Sequence, residues 1–334
     1  MNLIRPTLSL LLAATNAGFS QGILSSAITY THTCDASASI ALNEDRFVVA
    51  NDEDNVLSIY SRSRPGPPVS ALDVTGFLQL PRKSPEADLE GAARVASRIF
   101  WISSHGTTAA GKASPNRQRF FATDIRTNDN EMTLVPVGGP YKHLLRDLIR
   151  EPRLSHFNLA RAAETDPEKP GALNIEGLAA TPEGHLLIGF RTPIPKGKAL
   201  LLPLLNPGAV IEGQAASFGE ATLLDLNGLG IRSLELHQGK YWIIAGHYDN
   251  KVSARLYSWA GGKTELRWHN QINLAGINPE AMLFPESSTA DRFFILSDDG
   301  GMSIGDKDCK DLKDPNLKRF RCFPVTLGNH PTGN

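Results

Sequence analysis

The sequence predicts an all-β chain folded as a single β-propeller of five or six blades, with a short helical insertion. Three observations predict it. Glycine and proline, 29 and 22 of the 334 residues, punctuate short apolar runs, as in a turn-rich β protein. The apolar fraction of 41% and charged fraction of 21% suit a chain that buries a core. A unit of several strands recurs with a period of about 50 residues, the mark of stacked blades around an axis.

Four copies of that unit align directly: Asp88-Leu-Glu-Gly91 with Arg98-Ile-Phe-Trp-Ile-Ser-Ser-His105, Asn174-Ile-Glu-Gly177 with His185 to Arg191, Gly230-Ile-Arg-Ser233 with Lys240 to His247, and Asn278-Pro-Glu-Ala281 with Arg292 to Asp298. A looser copy runs from Cys34-Asp-Ala-Ser37 through Arg46 to Asp52. Each has a polar start, an apolar strand, a turn, a second strand rich in aromatic and branched residues, and a polar end. One such module cannot bury both of its faces, so neighbours must stack. A sixth blade has room in the long interval after Asp88.

That interval also holds Tyr141 to Arg150, with apolar residues at helical spacing, and Leu159 to Glu164 as a second short helix. The expectation is a helical insertion over about 140–166, read either as decoration or as a partial lid carrying Arg146 and Arg150. Segments before Cys34 and around Phe320 to Leu327 read as strands that complete one blade together. The domain expectation is therefore a leader over 1–20 and one propeller over 21–334.

Arg5, the apolar run from Leu8 to Ala14, and small residues at Ala17, Gly18 and Ser20 form the pattern of a secretory signal peptide. The run is shorter than the ~20 residues needed to span a bilayer. The expected location is exported, periplasmic or secreted, and the expected state a monomer without a membrane span. Of three cysteines, Cys309 and Cys322 bracket a charged loop and are one possible disulfide, leaving Cys34 over; three buried thiols are the alternative. A net charge of −1 argues against nucleic acid as a partner.

In a propeller the first strand of each blade lines the channel. Aligning the copies by their second strands puts Glu90 and Glu176 at one position, Glu280 there too if Pro285 to Asp291 is an insertion in the turn, Arg232 at the same position of the fourth copy, and Asp35 near the fifth. Converging carboxylates repel unless neutralised, and carboxylate, Asn and backbone oxygens suit Ca²⁺. Glu90, Glu176 and Glu280 are thus candidate metal ligands, with Asp88, Asn174 and Asn278 as further oxygen donors; stitching of blades through backbone N–H groups is the competing role. The ends of the second strands supply a second set, Asp52, His105, Arg191, His247 and Asp298. His105 and His247 are candidate acids or bases, and Arg191, Arg232, Asp52 and Asp298 candidate substrate contacts. No Gly-x-Ser-x-Gly elbow and no phosphate-cradling glycine loop occurs.

The runs Cys34 to Ala38, Ala50 to Leu57, Asp88-Leu-Glu-Gly91, Ser104-His-Gly106, Asn174 to Ala179, Leu229 to Ser233 and Asn278 to Ala281 resemble those of a bacterial group, domain-of-unknown-function family 3616. The Asp/Asn-x-Glu-Gly starts are also similar to those of propellers of esterase-like or phytase-like type, a resemblance that implies calcium and acidic channel residues. Two functions follow. One is a Ca²⁺-dependent hydrolase of a phosphoester, lactone or related ester at the channel mouth. The other is a non-catalytic propeller that binds a small molecule, glycan, peptide or protein on the same face.

Overall fold

Alternation of apolar and polar residues along short strands builds five antiparallel sheets, and the inner strand of each touches the next until the fifth meets the first. The computed structural model describes residues 23–327 apart from 84, 109, 130, 168, 170, 250 and 290–291. The expected leader, 1–20, lies outside the described residues. From the axis outward, blade 1 comprises Ala38–Ala41, Arg46–Ala50, Val56–Ser61 and Ser70–Asp73. Blade 2 comprises Leu89–Val95, Arg98–Ser103, Phe120–Asn128 and Glu131–Tyr141. Blade 3 comprises Asn174–Ala180, Leu186–Thr192, Ala199–Leu204 and Thr222–Leu224, and blade 4 Gly230–His237, Lys240–Gly246, Arg255–Trp259 and Leu266–Trp268.

Blade 5 is composite. Pro279–Leu283, Arg292–Ser297 and Arg319–Thr326 come from the C-terminal side, and Ile28–Thr31 pairs as the outer strand on Arg319–Thr326. The expected joining of the two ends in one blade is what the structure has. Five sheets of four or five strands, beside a two-stranded hairpin of Ser303–Ile304 and Lys307–Asp308, settle five blades rather than six. The interval after Asp88 is filled by the long outer hairpin of blade 2 and by the helical segment.

Five apolar clusters lie between successive blades and hold the ring. The seam between blades 5 and 1 is the most aromatic: Tyr30, Phe47, Tyr60 and Phe320 pack with ring centroids 5.1 to 5.6 Å apart. Fully burying one such ring contributes roughly 1.5–3 kcal/mol. The Tyr60 hydroxyl, which would otherwise be stranded there, donates to the Thr31 carbonyl at 2.9 Å.

The helical segment comprises Leu144–Arg150, a 3₁₀ turn at Pro152–Phe157, and Leu159–Ala162. Leu144, Leu145, Leu148, Leu154 and Phe157 pack into the core between blades 2 and 3. Arg146 pairs with Asp147 at 3.1 Å and Arg150 is exposed. Among the described residues no helix is long and apolar enough to cross a membrane.

The cysteine pairing differs from the Cys309–Cys322 expectation. Cys34 and Cys309 form the disulfide, and Cys322 is free and buried. The reason is strand orientation. Cys322 lies on Arg319–Thr326 with its side chain in the core of the 5/1 seam, and burial pushes its thiol up to about 12. Cys309 sits in the loop whose neighbour Lys310 donates from its backbone N–H to the Gly300 carbonyl, while the Asp299 N–H donates to the Cys34 carbonyl. Chain proximity of 309 and 322 therefore does not bring their sulfurs together.

Candidate functional site

The inner strands share one irregularity that aims side chains at the axis. In blades 2 to 5 the pairing with the second strand skips one residue, and the skipped residues are Glu90, Glu176, Arg232 and Glu280. A bulged residue has no partner opposite it and its side chain is redirected. In blade 1, Ala38 pairs with Ala50 and the Ser37 N–H also bonds the Ala50 carbonyl, so Ser37 occupies the slot. The ring is thus Ser37, Glu90, Glu176, Arg232 and Glu280. Asp35 falls two residues earlier, level with Asp88, Asn174 and Asn278.

Arg232 is 4% exposed and organises one half of this ring. Its Nη1 donates to Asn278 Oδ1 at 2.6 Å, its Nη2 donates to Glu280, and its Nε lies 3.4 Å from Glu176 Oε2. Arg191 donates from Nη1 to Glu176 Oε1 at 2.6 Å and from Nη2 to the carbonyls of His247 and Tyr248 at 3.2 and 3.0 Å. Asn174 and Asn278 donate to Glu176 and Glu280 at 3.0 and 3.2 Å. Two glycines make room for this network. A Cβ on Gly246 would strike the Arg232 stem, and one on Gly230 would strike the Arg191 carbonyl. Blade 4 therefore replaces two polar positions by glycine so that one guanidinium can span three blades.

The other half is acidic. Oxygens of Asp52, Asp88 and Glu90 lie within 4.8 Å of one another. The Glu90 charge bears on Arg117 and Arg232, and among the described residues Asp52 Oδ1 is buried without a hydrogen-bond partner. Arg117 approaches Asp88 at 3.2 Å and also holds Glu86, while Ser104 donates to Asp88. Asp88 adopts φ of 58°, in the left-handed region, and Asp tolerates this better than most side chains. Burial raises Asp88 to about 6 against the opposing pull of Arg117. Burial also raises Asp52 and Glu90 well above the usual carboxylate range, with Asp35 adding to the first and Asp88 to the second. Asp35, hydrogen-bonded to Asp298, is pushed up to about 8 by burial and then by the Asp298 charge.

The structure therefore separates the three ring glutamates. Glu176 and Glu280 are engaged by guanidinium groups, and Glu90 stands with Asp52 and Asp88. Ca²⁺–oxygen distances of about 2.3–2.6 Å allow ligand oxygens to lie up to about 5 Å apart around one ion. The Asp52, Asp88 and Glu90 oxygens meet that spacing, and the unpartnered Asp52 Oδ1 is a further acceptor for a cation.

The second-strand ends are not one ring. Asp52, Arg191 and Asp298 are equivalent, with Ser104 and Gly246 at the same level, and His105 and His247 lie one residue further on. His105 points inward: it is 1% exposed, its Nδ1 meets the Ser103 carbonyl at 2.8 Å, and burial lowers it to about 4. It is neutral at neutral pH. His247 is partly exposed and its Nδ1 pairs with Asp249. Lys251 and His247 hold the Asp249 carboxyl well below the usual range. The His-x-Asp spacing was the available signal for Asp249; Ser37 and Arg117 carried none in the sequence.

Residues 139–278 match the model of a family described as a protein of unknown function, DUF3616. The resemblance carried by the Asn174 and Leu229 runs holds over that span. A search of the curated proteins finds no match. Among solved structures the chain is similar to YCF48 bound to D1 peptide, at 12% identity and TM-score 0.38, covering 87% of this chain and 63% of that one. It is similar to a putative oxidoreductase (glucose dehydrogenase) from Thermus thermophilus, at 11% identity and TM-score 0.42, over 90% and 100% of the two chains. It is also similar to streptogramin B lyase, at 8% identity and TM-score 0.40, over 93% and 100%.

Proposed function

We propose that the channel mouth is a Ca²⁺-dependent hydrolytic site for an anionic ester, a phosphoester or lactone being the simplest cases. The single observation that supports this is the uneven neutralisation of the ring: Glu176 is held by Arg191 and Glu280 by Arg232, while Glu90 faces Asp52 and Asp88 across oxygens within 4.8 Å. Asp52, Asp88 and Glu90 would hold the ion, with Ser37 and Asn174 oxygens nearby on the same levels of the ring. A bound cation supplies a Lewis acid for the ester oxygen and lowers the pKa of a water.

The chain's own residues complete the chemistry. His247, oriented by Asp249, is the proton acceptor the mouth offers, because His105 is sealed in the core. Arg191 and Arg232 offset Glu176 and Glu280, so the far side of the mouth repels an anionic substrate less than the Asp52, Asp88 and Glu90 side does. Metal content and melting tests decide the reading. The purified protein is expected to bind Ca²⁺ and melt higher with it, Glu90→Gln to lose that shift, and His247→Ala to lose hydrolysis while keeping it. A protein whose melting point responds neither to Ca²⁺ nor to EDTA overturns the proposal.

Export is part of the same proposal. The Arg5 and Leu8 to Ala14 pattern supports it, as does a disulfide that an oxidising compartment would maintain. N-terminal sequencing of the mature protein from a secretion-competent host tests it. A cytoplasmic product that still begins at Met1 would overturn it.

A further inference from the structure

A groove of about 590 Å³ runs beside the mouth, between blades 3 and 4 and the helical segment. That volume lies within the range of small-molecule sites. Phe157, Pro193, Ile194, Leu223 and Tyr248 supply its largely apolar walls. The helical segment contributes here through Phe157 and the His156 ring packed on it, with centroids 3.9 Å apart.

The groove continues the mouth. Thr192 and Tyr248 both line it; Thr192 follows Arg191 in the chain, and the Tyr248 carbonyl accepts the Arg191 guanidinium at 3.0 Å. Thr192 is 1% exposed, so the groove is bounded there by a sealed side chain rather than by an open hydroxyl. The described lining residues include no carboxylate, and exposed Lys196 stands at the outer lip.

We infer that this groove binds the aromatic body of an anionic small molecule, with its acid group against Lys196. Rigid rings and prolines on the walls favour a flat partner over a flexible chain, because little side-chain freedom is lost on contact. The inference deepens the hydrolase reading by naming a substrate class, and rests on that reading only for the reaction, not for the binding.

The test uses 2-naphthoate and its neutral counterpart 2-naphthalenemethanol, titrated calorimetrically into the full chain with EDTA present. Saturable binding of naphthoate at one site is expected. Ile194→Glu and Tyr248→Ala, each confirmed folded by its melt, should weaken both probes at least tenfold. Lys196→Glu should weaken naphthoate about fivefold and leave the neutral probe unchanged. Absence of saturable binding, or binding untouched by both wall variants, overturns the groove; an equal effect of Lys196→Glu on both probes overturns the anionic partner. Because EDTA is present, failure here leaves the Ca²⁺ reading standing, and failure of Ca²⁺ binding leaves this one standing.

Discussion

Arg232 on blade 4 donates to Glu280 on blade 5 in a setting where the guanidinium is 4% exposed. A buried pair of this kind is costly to break from one side only. Arg232→Met should therefore destabilise the protein by about 3–5 kcal/mol, because it strands Glu280 and weakens the hold on Glu176. Adding Glu280→Gln to Arg232→Met should restore part of the loss. Paired urea melts of the single and double variants check this; a single variant as stable as the wild type would remove Arg232 from its structural role.

Stability without metal should fall as pH rises from about 4 to about 8. Asp35 is raised to about 8 by burial and by Asp298, with Glu53 adding to the effect and Lys310 opposing it, and Asp88 is raised to about 6. Raised carboxyls keep their protons in the folded state while the unfolded chain has already released them. The folded state thus binds more protons across that window, and the linkage slope is negative. Ca²⁺ needs the deprotonated carboxylates of its site, so its stabilising effect should grow over the same range. Melting curves in EDTA and in Ca²⁺ between about pH 4 and 9 read both trends.

The disulfide prediction is specific in connectivity. Non-reducing peptide mapping should yield a Cys34–Cys309 linked pair, with Cys322 alkylated only after unfolding. The bond closes a loop with a sequence separation of 275, for which loop entropy alone suggests a stabilisation on the order of 5–6 kcal/mol. Cys34→Ser should lower stability by up to that amount, and Cys322→Ala by much less.

Removing residues before Thr33 should be severe. The deletion strips the outer strand from blade 5 and takes Tyr30 from the aromatic seam. Tyr30→Ala alone should cost about 3–5 kcal/mol. A truncated protein with an unchanged melting point would show that the strand only decorates the blade.

The blade pattern was legible because strand periodicity and the polar starts repeat in register, and Glu90, Glu176 and Glu280 share a slot because each sits at the same bulge. The lateral partners were not legible. That Glu176 and Glu280 converge on Arg232 while Glu90 turns to Asp52 depends on which blades adjoin and on the room left by Gly230 and Gly246. His105 illustrates a smaller limit: it lies past the end of Arg98–Ser103 with φ of 56°, so strand periodicity does not decide where its buried side chain points. The cysteines show a third, because separation along the chain is not separation in space.

The composite blade sets the order in which the molecule can be completed. Ile28–Thr31 is made early but has no strand to pair with until Arg319–Thr326 leaves the ribosome. Until then the aromatic face of blade 1 lacks the cover of Phe320. A chain halted before residue 279 is therefore an open arc rather than a smaller propeller, and one halted before 319 has the inner strands of blade 5 but leaves Arg292–Ser297 as an unpaired edge. The final strand then covers that edge on one side and takes up the early strand on the other, completing the blade in one step.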